Sequence, residues 1–302
     1  MSSRIISRRS SKTRPPSPDS IHTRVAAARE RLRQAGIPPD EAQLDARLLA
    51  EEVLGWDTAR YFASGDEMEP PGFAPEFEAL VARRVHREPL AYILGRQEFW
   101  GLTFNVSPDV LIPRPESELI VEAALDLSSA QGHIGSIADV CTGSGCLAVA
   151  LARELGHAQV AATDLSDRAI SVARGNAARH DVDGRITFVR ADLLDPFDGP
   201  FDLIVSNPPY VPEKDRAGLA PEVRDHEPAM ALFAGHDGLS VIRRLIDQAR
   251  ARLKPGAALI FEIGFGQAAQ VAGLISSAPG LTMVDLRRDL QGVPRTAVAQ
   301  RM

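Results

Sequence analysis

Apolar residues recur at helical spacing from Ile21 to about Arg96 and then change rhythm. Val25, Ala28, Leu32 and Ala35 follow the spacing of an amphipathic helix, with Gly36 as its expected C-cap. After Pro38 and Pro39, Asp40 is expected to cap a second helix that turns Leu44, Leu48, Leu49 and Val53 inward and closes at Gly55. A third helix is expected from about Pro75 to His86, with Phe77, Leu80, Val81 and Val85 inward. Residues 21–96 therefore read as a small helical domain. The stretch Gly101–Val106 alternates as a strand and opens a β-hairpin linker, residues 97–115, completed near Val110–Ile112. After a helix at Glu116–Leu127, apolar runs alternate with helical stretches. Candidate strands are Ile137–Cys141, Gln159–Thr163, Ile186–Arg190, Phe201–Ser206, Ala257–Ile263, Leu281–Leu286 and Thr296–Gln300. This alternation predicts an α/β fold in residues 116–302, a seven-stranded, doubly wound and mainly parallel sheet. No clear helix separates the last two strands, so the sheet is expected to end antiparallel.

The length of 302 residues suits two domains, and 44% hydrophobic with 25% charged residues excludes a largely disordered or collagen-like chain. No run approaches the ~18 apolar residues of a membrane-spanning helix. The net charge of −6 argues against a protein that grips duplex DNA by neutralising phosphates. That charge is unevenly spread: +4 in residues 1–20, −4 in residues 21–105 and −6 in the rest. The first segment, with seven serines and three prolines, reads as a disordered basic tail; a transit peptide and an upstream start codon are the other readings. Cys141 and Cys146 cannot supply a disulfide framework, and neither they nor the seven histidines have metal-site spacing. They read as reduced structural thiols, no metal is expected, and the chain reads as a soluble, cytoplasmic monomer.

The first strand of the sheet runs into Cys141, Thr142, Gly143, Ser144 and Gly145 before a helix begins. Glycines at such a turn let backbone approach a ligand, and the helix start favours negative groups. Asp164 ends the next strand, where a carboxylate can accept both ribose hydroxyls of a nucleoside. The turn continues neither as a dinucleotide fingerprint, since Ala148 stands three after Gly145, nor as a triphosphate loop. S-adenosyl-L-methionine fits a nucleoside site without a pyrophosphate cradle. Asp192, with Leu193 beside it, follows the third strand, as an acceptor for an adenine amino group or as a plain loop aspartate.

The fourth strand ends in Asn207, Pro208, Pro209 and Tyr210. Two prolines fix the chain and remove two N–H donors, leaving carbonyls as acceptors. The Asn207 side-chain carbonyl and the Pro208 backbone carbonyl can receive both hydrogens of one planar NH₂ group, and Tyr210 offers a face for stacking. Holding that nitrogen and drawing its lone pair out of conjugation prepares it to attack a sulfonium methyl group. Asn207 is thus a positioning residue rather than a base. An exocyclic adenine amine meets the same geometry, so an adenine-N6 nucleic-acid methyltransferase is an alternative, disfavoured by the acidic helical domain.

Residues 87–95, 98–101 and 111–116, followed by Asn207–Tyr210, Glu222–Pro228 and Asp289–Gly292 before Arg295, resemble the release factor glutamine methyltransferases, the PrmC/HemK family. The resemblance covers nearly all of residues 21–302. It implies a Rossmann-like class I methyltransferase domain that binds S-adenosyl-L-methionine, and a helical domain that docks the protein substrate. The implied reaction methylates the side-chain amide nitrogen of the glutamine in the Gly-Gly-Gln loop of class 1 peptide chain release factors, without direct nucleic-acid binding. By motif, Thr142, Gly143, Gly145 and Asp164 would hold the cofactor, and Asn207 would touch both ligands. Pro208, Pro209 and Tyr210 would frame the glutamine. Two positions depart from the family pattern: Cys141 stands where glycine is common, and Ser117 where threonine is usual. The Cys141–Cys146 segment is closer to enzymes that methylate a glutamine of a large-subunit ribosomal protein, which keeps that substrate as an alternative. Glu118 is expected to support the following helix, Phe99 either to pack the hairpin or to reach the cofactor, and Arg224, His226 and Glu227 either to anchor a loop or to meet the partner.

Overall fold

The structure is a computed structural model that describes residues 20–302, so the tail read at residues 1–20 lies almost wholly outside the described residues. The chain divides into two compact units between Leu94 and Gly95. No helix among the described residues is long and apolar enough to cross a membrane.

In the first unit, α1 (Ile21–Gln34), α2 (Pro39–Leu54), α3 (Thr58–Ser64), α4 (Phe73–Val85) and α5 (Leu90–Leu94) enclose a core containing Ile21, Leu32, Leu49 and Phe77. The expected cap at Asp40 is not formed. Pro38 occupies the cap position and Pro39 the first turn, where a missing N–H costs nothing, and Asp40 instead places its charge in that turn. The inward face of α2 is also rotated from the expected one. Leu44 is 45% exposed, while Ala42, Ala46, Leu49 and Ala50 face the core. Asp45 is buried with them because Arg84 of α4 donates to it at 2.7 Å. Both α3 and α5 are too short to show a periodic pattern, and neither was expected.

The second unit opens with a hairpin that differs from the expected one. Leu102–Asn105 (β2) pairs backward with Arg96–Phe99 (β1), and Val110–Ile112 forms no strand. Trp100 and Gly101 both take positive φ, 54° and 65°, which is the tight turn that matches strand twist. Phe99 and Phe104 then bury their rings 6.2 Å apart.

A single turn at Pro115–Ser117 leads into α6 (Glu118–Gln131), followed by β3 (Ser136–Val140), α7 (Cys146–Glu154), β4 (Gln159–Asp164), α8 (Asp167–Arg179), β5 (Ile186–Arg190) and β6 (Phe201–Ser206). After two short helices, α9 (Pro221–His226) and α10 (Ala229–Leu232), come α11 (Ser240–Arg252), β7 (Leu253–Glu262), α12 (Ala268–Ser277), β8 (Leu281–Arg288) and β9 (Pro294–Arg301). The seven strands lie in the order β5-β4-β3-β6-β7-β9-β8; only the pairings of β9 with β7 and β8 are antiparallel, as the pattern predicted. Apolar cores cover both faces of the sheet, one with α6, α7 and α8, the other with α11 and α12. The strand order reverses between β3 and β6, and the crevice at such a reversal is where open α/β sheets bind ligands.

Candidate active site

Sheet register sets the site. Val140 of β3 pairs with Thr163 of β4 on one side and Ser206 of β6 on the other, and Ser206 in turn pairs with Phe261 of β7. Cys141, Asp164, Asn207 and Glu262 therefore stand in a row where the parallel strands end. A cleft of about 270 Å³ lies there, near the lower end of the roughly 300–1,000 Å³ typical of small-molecule sites. Cys141, Thr142, Gly143, Ser144, Asp164, Asp192, Leu193, Asn207 and Pro209 line it. Gly145, Pro208 and Tyr210 are not among its lining residues.

The turn after β3 is held by its own backbone. Cys141, Gly143 and Gly145 have φ of 60°, 54° and 81°, all in the left-handed region. Glycine suits 145 on two counts: its φ is left-handed, and a Cβ there would crowd Ala173, at 3.0 Å from its Cβ and 3.1 Å from its Cα. Cys141 takes the same backbone conformation with a side chain. That explains why glycine suits this position in the family resembled. Thr142 N–H donates to the Thr163 carbonyl at 2.8 Å. Beneath the turn, Asp139 Oδ2 accepts from Thr142 Oγ1 at 2.6 Å and Ala148 N–H at 3.1 Å, while its Oδ1 is buried without a partner. Burial pushes the Asp139 carboxyl up to about 7, against the pull of these two bonds. Sequence reasoning passed over Asp139.

Asp164 Oδ2 accepts from Gly143 N–H at 3.0 Å and Oδ1 from Ser166 N–H at 2.9 Å. Burial raises its pKa above the usual carboxylate value, opposed by these backbone donors. Each carboxylate oxygen keeps a further lone pair, so the pair can still accept two neighbouring hydroxyls. The Asp192 carboxylate accepts from Arg244 at 2.6 Å, a partner the sequence did not reveal. Both cysteines are free thiols at the cleft wall, raised by burial, Cys146 to about 12.

The other side of the cleft is a network of side chains. Asn207 Nδ2 donates to Ser117 Oγ at 2.8 Å. Ser117 Oγ donates to Glu262 Oε2 at 2.5 Å, and Tyr210 Oη donates to Glu262 Oε1 at 2.8 Å. Glu262 is 1% exposed, and burial raises both its carboxyl and, with the adjacent negative charge, the Tyr210 phenol. Gln267 Nε2 donates to the Tyr210 carbonyl at 2.9 Å, and a Cβ at Gly238 would meet that carbonyl oxygen at 2.2 Å. Tyr210 is thus fixed at both ends. Glu262 escaped sequence reasoning, although a charged residue closing the apolar run from Ala257 to Phe261 was an available signal.

Buried Glu227 accepts from Ile112 N–H and pairs with Arg114, so it anchors the 110–114 segment along the cleft. Arg224 pairs with Asp225. Glu118 accepts from Trp100 N–H at 2.8 Å, a structural role, and Phe99 lies in the core rather than at the cleft.

Comparisons with known proteins agree with this arrangement. Residues 25–95 match the family model of the PrmC N-terminal domain, and residues 117–222 that of the methyltransferase small domain. The chain is similar to the release factor glutamine methyltransferase of Bradyrhizobium diazoefficiens, 42% identical over 274 residues, covering 90% of this chain and 92% of that protein. Its counterpart in Geobacter sulfurreducens is 45% identical over 238 residues, covering 78% and 82%. Among solved structures, the hMettl16 catalytic domain in complex with MAT2A 3′UTR hairpin 6 is similar with a TM-score of 0.53 at 21% identity, covering 74% of this chain and 81% of that one, a likeness of fold alone. With relatives of this identity matched along most of its length, the chain belongs to the release factor glutamine methyltransferases.

Proposed function

We propose that this enzyme transfers a methyl group from S-adenosyl-L-methionine to the side-chain amide nitrogen, N5, of the glutamine in the Gly-Gly-Gln motif of class 1 release factors. One observation carries the reading. Asn207 lines the cleft with its Nδ2 committed to Ser117, and among the described residues no donor meets its Oδ1. The acceptor it offers is a carbonyl, which an amide NH₂ needs.

The residues divide the work. Thr142, Gly143, Ser144 and Gly145 form the turn for the aminoacyl end, Asp164 accepts the ribose hydroxyls, and Asp192 with Leu193 borders the base. The donor set suits this ligand because the carboxylates retain free lone pairs and the turn presents backbone. When bound, S-adenosyl-L-methionine supplies an electrophilic methyl on a sulfonium, whose S–C bond breaks as the N–C bond forms. Asn207 Oδ1 and the Pro208 carbonyl accept the two amide hydrogens and weaken the conjugation of the nitrogen lone pair. The alkylated amide is acidic enough to release its extra proton to water, so no protein base is required. Tyr210 and Pro209 frame the planar amide.

The helical unit, net acidic in its sequence, is the docking module for the release factor in this reading, and the cytoplasm is the place of work. Incubation with labelled S-adenosyl-L-methionine, purified release factors, the large-subunit ribosomal protein and DNA tests the proposal. Label on the Gly-Gly-Gln glutamine is expected. Label on DNA alone, or on no glutamine, would overturn it.

A further inference from the structure

An asparagine side chain is almost symmetric in shape, and only its hydrogen-bond partners decide which end faces a ligand. Turned by half a rotation, Asn207 would present NH₂ to an amide NH₂, two donors facing one another. We propose that Glu262 is a positioning residue that sets the direction of the Asn207–Ser117–Glu262 chain, so that Asn207 presents its carbonyl to the acceptor amide. This rests on the glutamine-methylation reading above.

The argument is one of counting hydrogens. A serine hydroxyl has one hydrogen and two lone pairs, and a carboxylate has acceptors only. Ser117 gives its hydrogen to Glu262 Oε2, which leaves Ser117 Oγ able only to accept. Its remaining neighbour, Asn207, must therefore point Nδ2 toward it, and Oδ1 is turned away. The second oxygen, Oε1, takes the hydrogen of Tyr210, so one buried carboxylate orients two residues of the Asn207–Tyr210 segment. Burying a charge is costly, and glutamine has nearly the same shape with a smaller desolvation penalty. What Glu262 adds is that both its oxygens accept, one from Ser117 and one from Tyr210, so it donates to neither. Glutamine at 262 can donate to Ser117, freeing the serine hydrogen to turn toward Asn207 Oδ1 and allow the inverted amide. The carboxyl is raised by burial and by Glu116, and lowered by Ser117, Tyr210 and Arg295.

The test uses the full chain with labelled S-adenosyl-L-methionine and a purified class 1 release factor. Glu262→Gln should lower kcat on the order of 10–100-fold. Its Kd for S-adenosyl-L-methionine should change far less than kcat, since Asp164 and the 141–145 turn keep their backbone partners. Ser117→Ala should cost a similar factor, and the double substitution little more than either alone, because both break one chain. Ser117→Thr, which keeps the hydroxyl, should hold at least about tenfold more kcat than Ser117→Ala. A folded Glu262→Gln enzyme with undiminished kcat would overturn the inference, as would equal losses in kcat and cofactor affinity. Should Glu262→Gln not fold, equal kcat for the Ala and Thr variants at 117 overturns it. If the unsubstituted enzyme labels no glutamine, the underlying reading fails, which is a distinct result.

Discussion

On the β3–β4 side of the cleft Asp164 and the turn beside it are held by backbone, whereas on the β6–β7 side Asn207 and Tyr210 are held by other side chains. Asp164 is fixed by two main-chain N–H groups and the neighbouring turn by three left-handed residues. Asn207 and Tyr210 are instead fixed by hydroxyls and a carboxylate drawn from Ser117 and Glu262. The contrast matches the proposed tasks. A cofactor common to many folds needs a local cradle that a few glycines can shape. An unactivated amide needs acceptors whose orientation is enforced, and only a network with a defined direction enforces it.

The largest effect should come from breaking the acceptor side alone. Asn207→Ala is expected to lower kcat on the order of 10²–10³-fold with cofactor binding preserved, read by single-turnover methyl transfer and calorimetry. Equal loss of both would mean the two sides are not separable. The reverse break is Asp164→Ala, which should weaken cofactor binding by roughly 10–100-fold, the value of charged hydrogen bonds to hydroxyls, and lower kcat at saturation much less.

The third prediction concerns the buried support of the turn. Asp139 is raised to about 7 in the folded chain, against an ordinary value of 3.8. Between those values the folded state keeps a proton that the unfolded chain has lost, so its contribution to stability is full at low pH and declines as pH rises toward 7. The slope is at most ~1.4 kcal/mol per pH unit. Denaturant unfolding across this range should show it, and Asp139→Asn should flatten it. An unchanged slope in that variant would assign the pH dependence to another group, with Asp164, shifted in the same direction, the next to test.

The smallest effect is expected at Cys141. Its φ of 60° is costly for a side chain, so Cys141→Gly should raise thermal stability, by under about 1 kcal/mol once the greater freedom of unfolded glycine is subtracted. A fall in Tm would show that the buried thiol contributes more than its backbone strain costs.

Legibility in the sequence followed the same division. The turn at 141–145 and the Asn207–Tyr210 segment could be read because glycine and proline act on their own backbone. All seven strands were visible as apolar runs, and the antiparallel end as a missing helix. Two expectations failed for different reasons, one at a local turn and one at a long-range pair. The hairpin paired backward because Trp100 and Gly101 made a tight turn. Leu44 faces out because Asp45 and Arg84, 39 residues apart, claim the inner face of α2.

Periodicity, glycine and proline thus determined the fold class, the strand ends and the two turns where chemistry is expected, since each depends on what a residue does to its neighbours. The direction of Asn207 was decided only in three dimensions. Ser117 reaches it across 90 residues and Glu262 reaches Ser117 across 145, and no spacing along the chain encodes which of two hydroxyl lone pairs will face an amide. Sheet register does, because pairing Ser206 with Phe261 sets Glu262 beside Asn207.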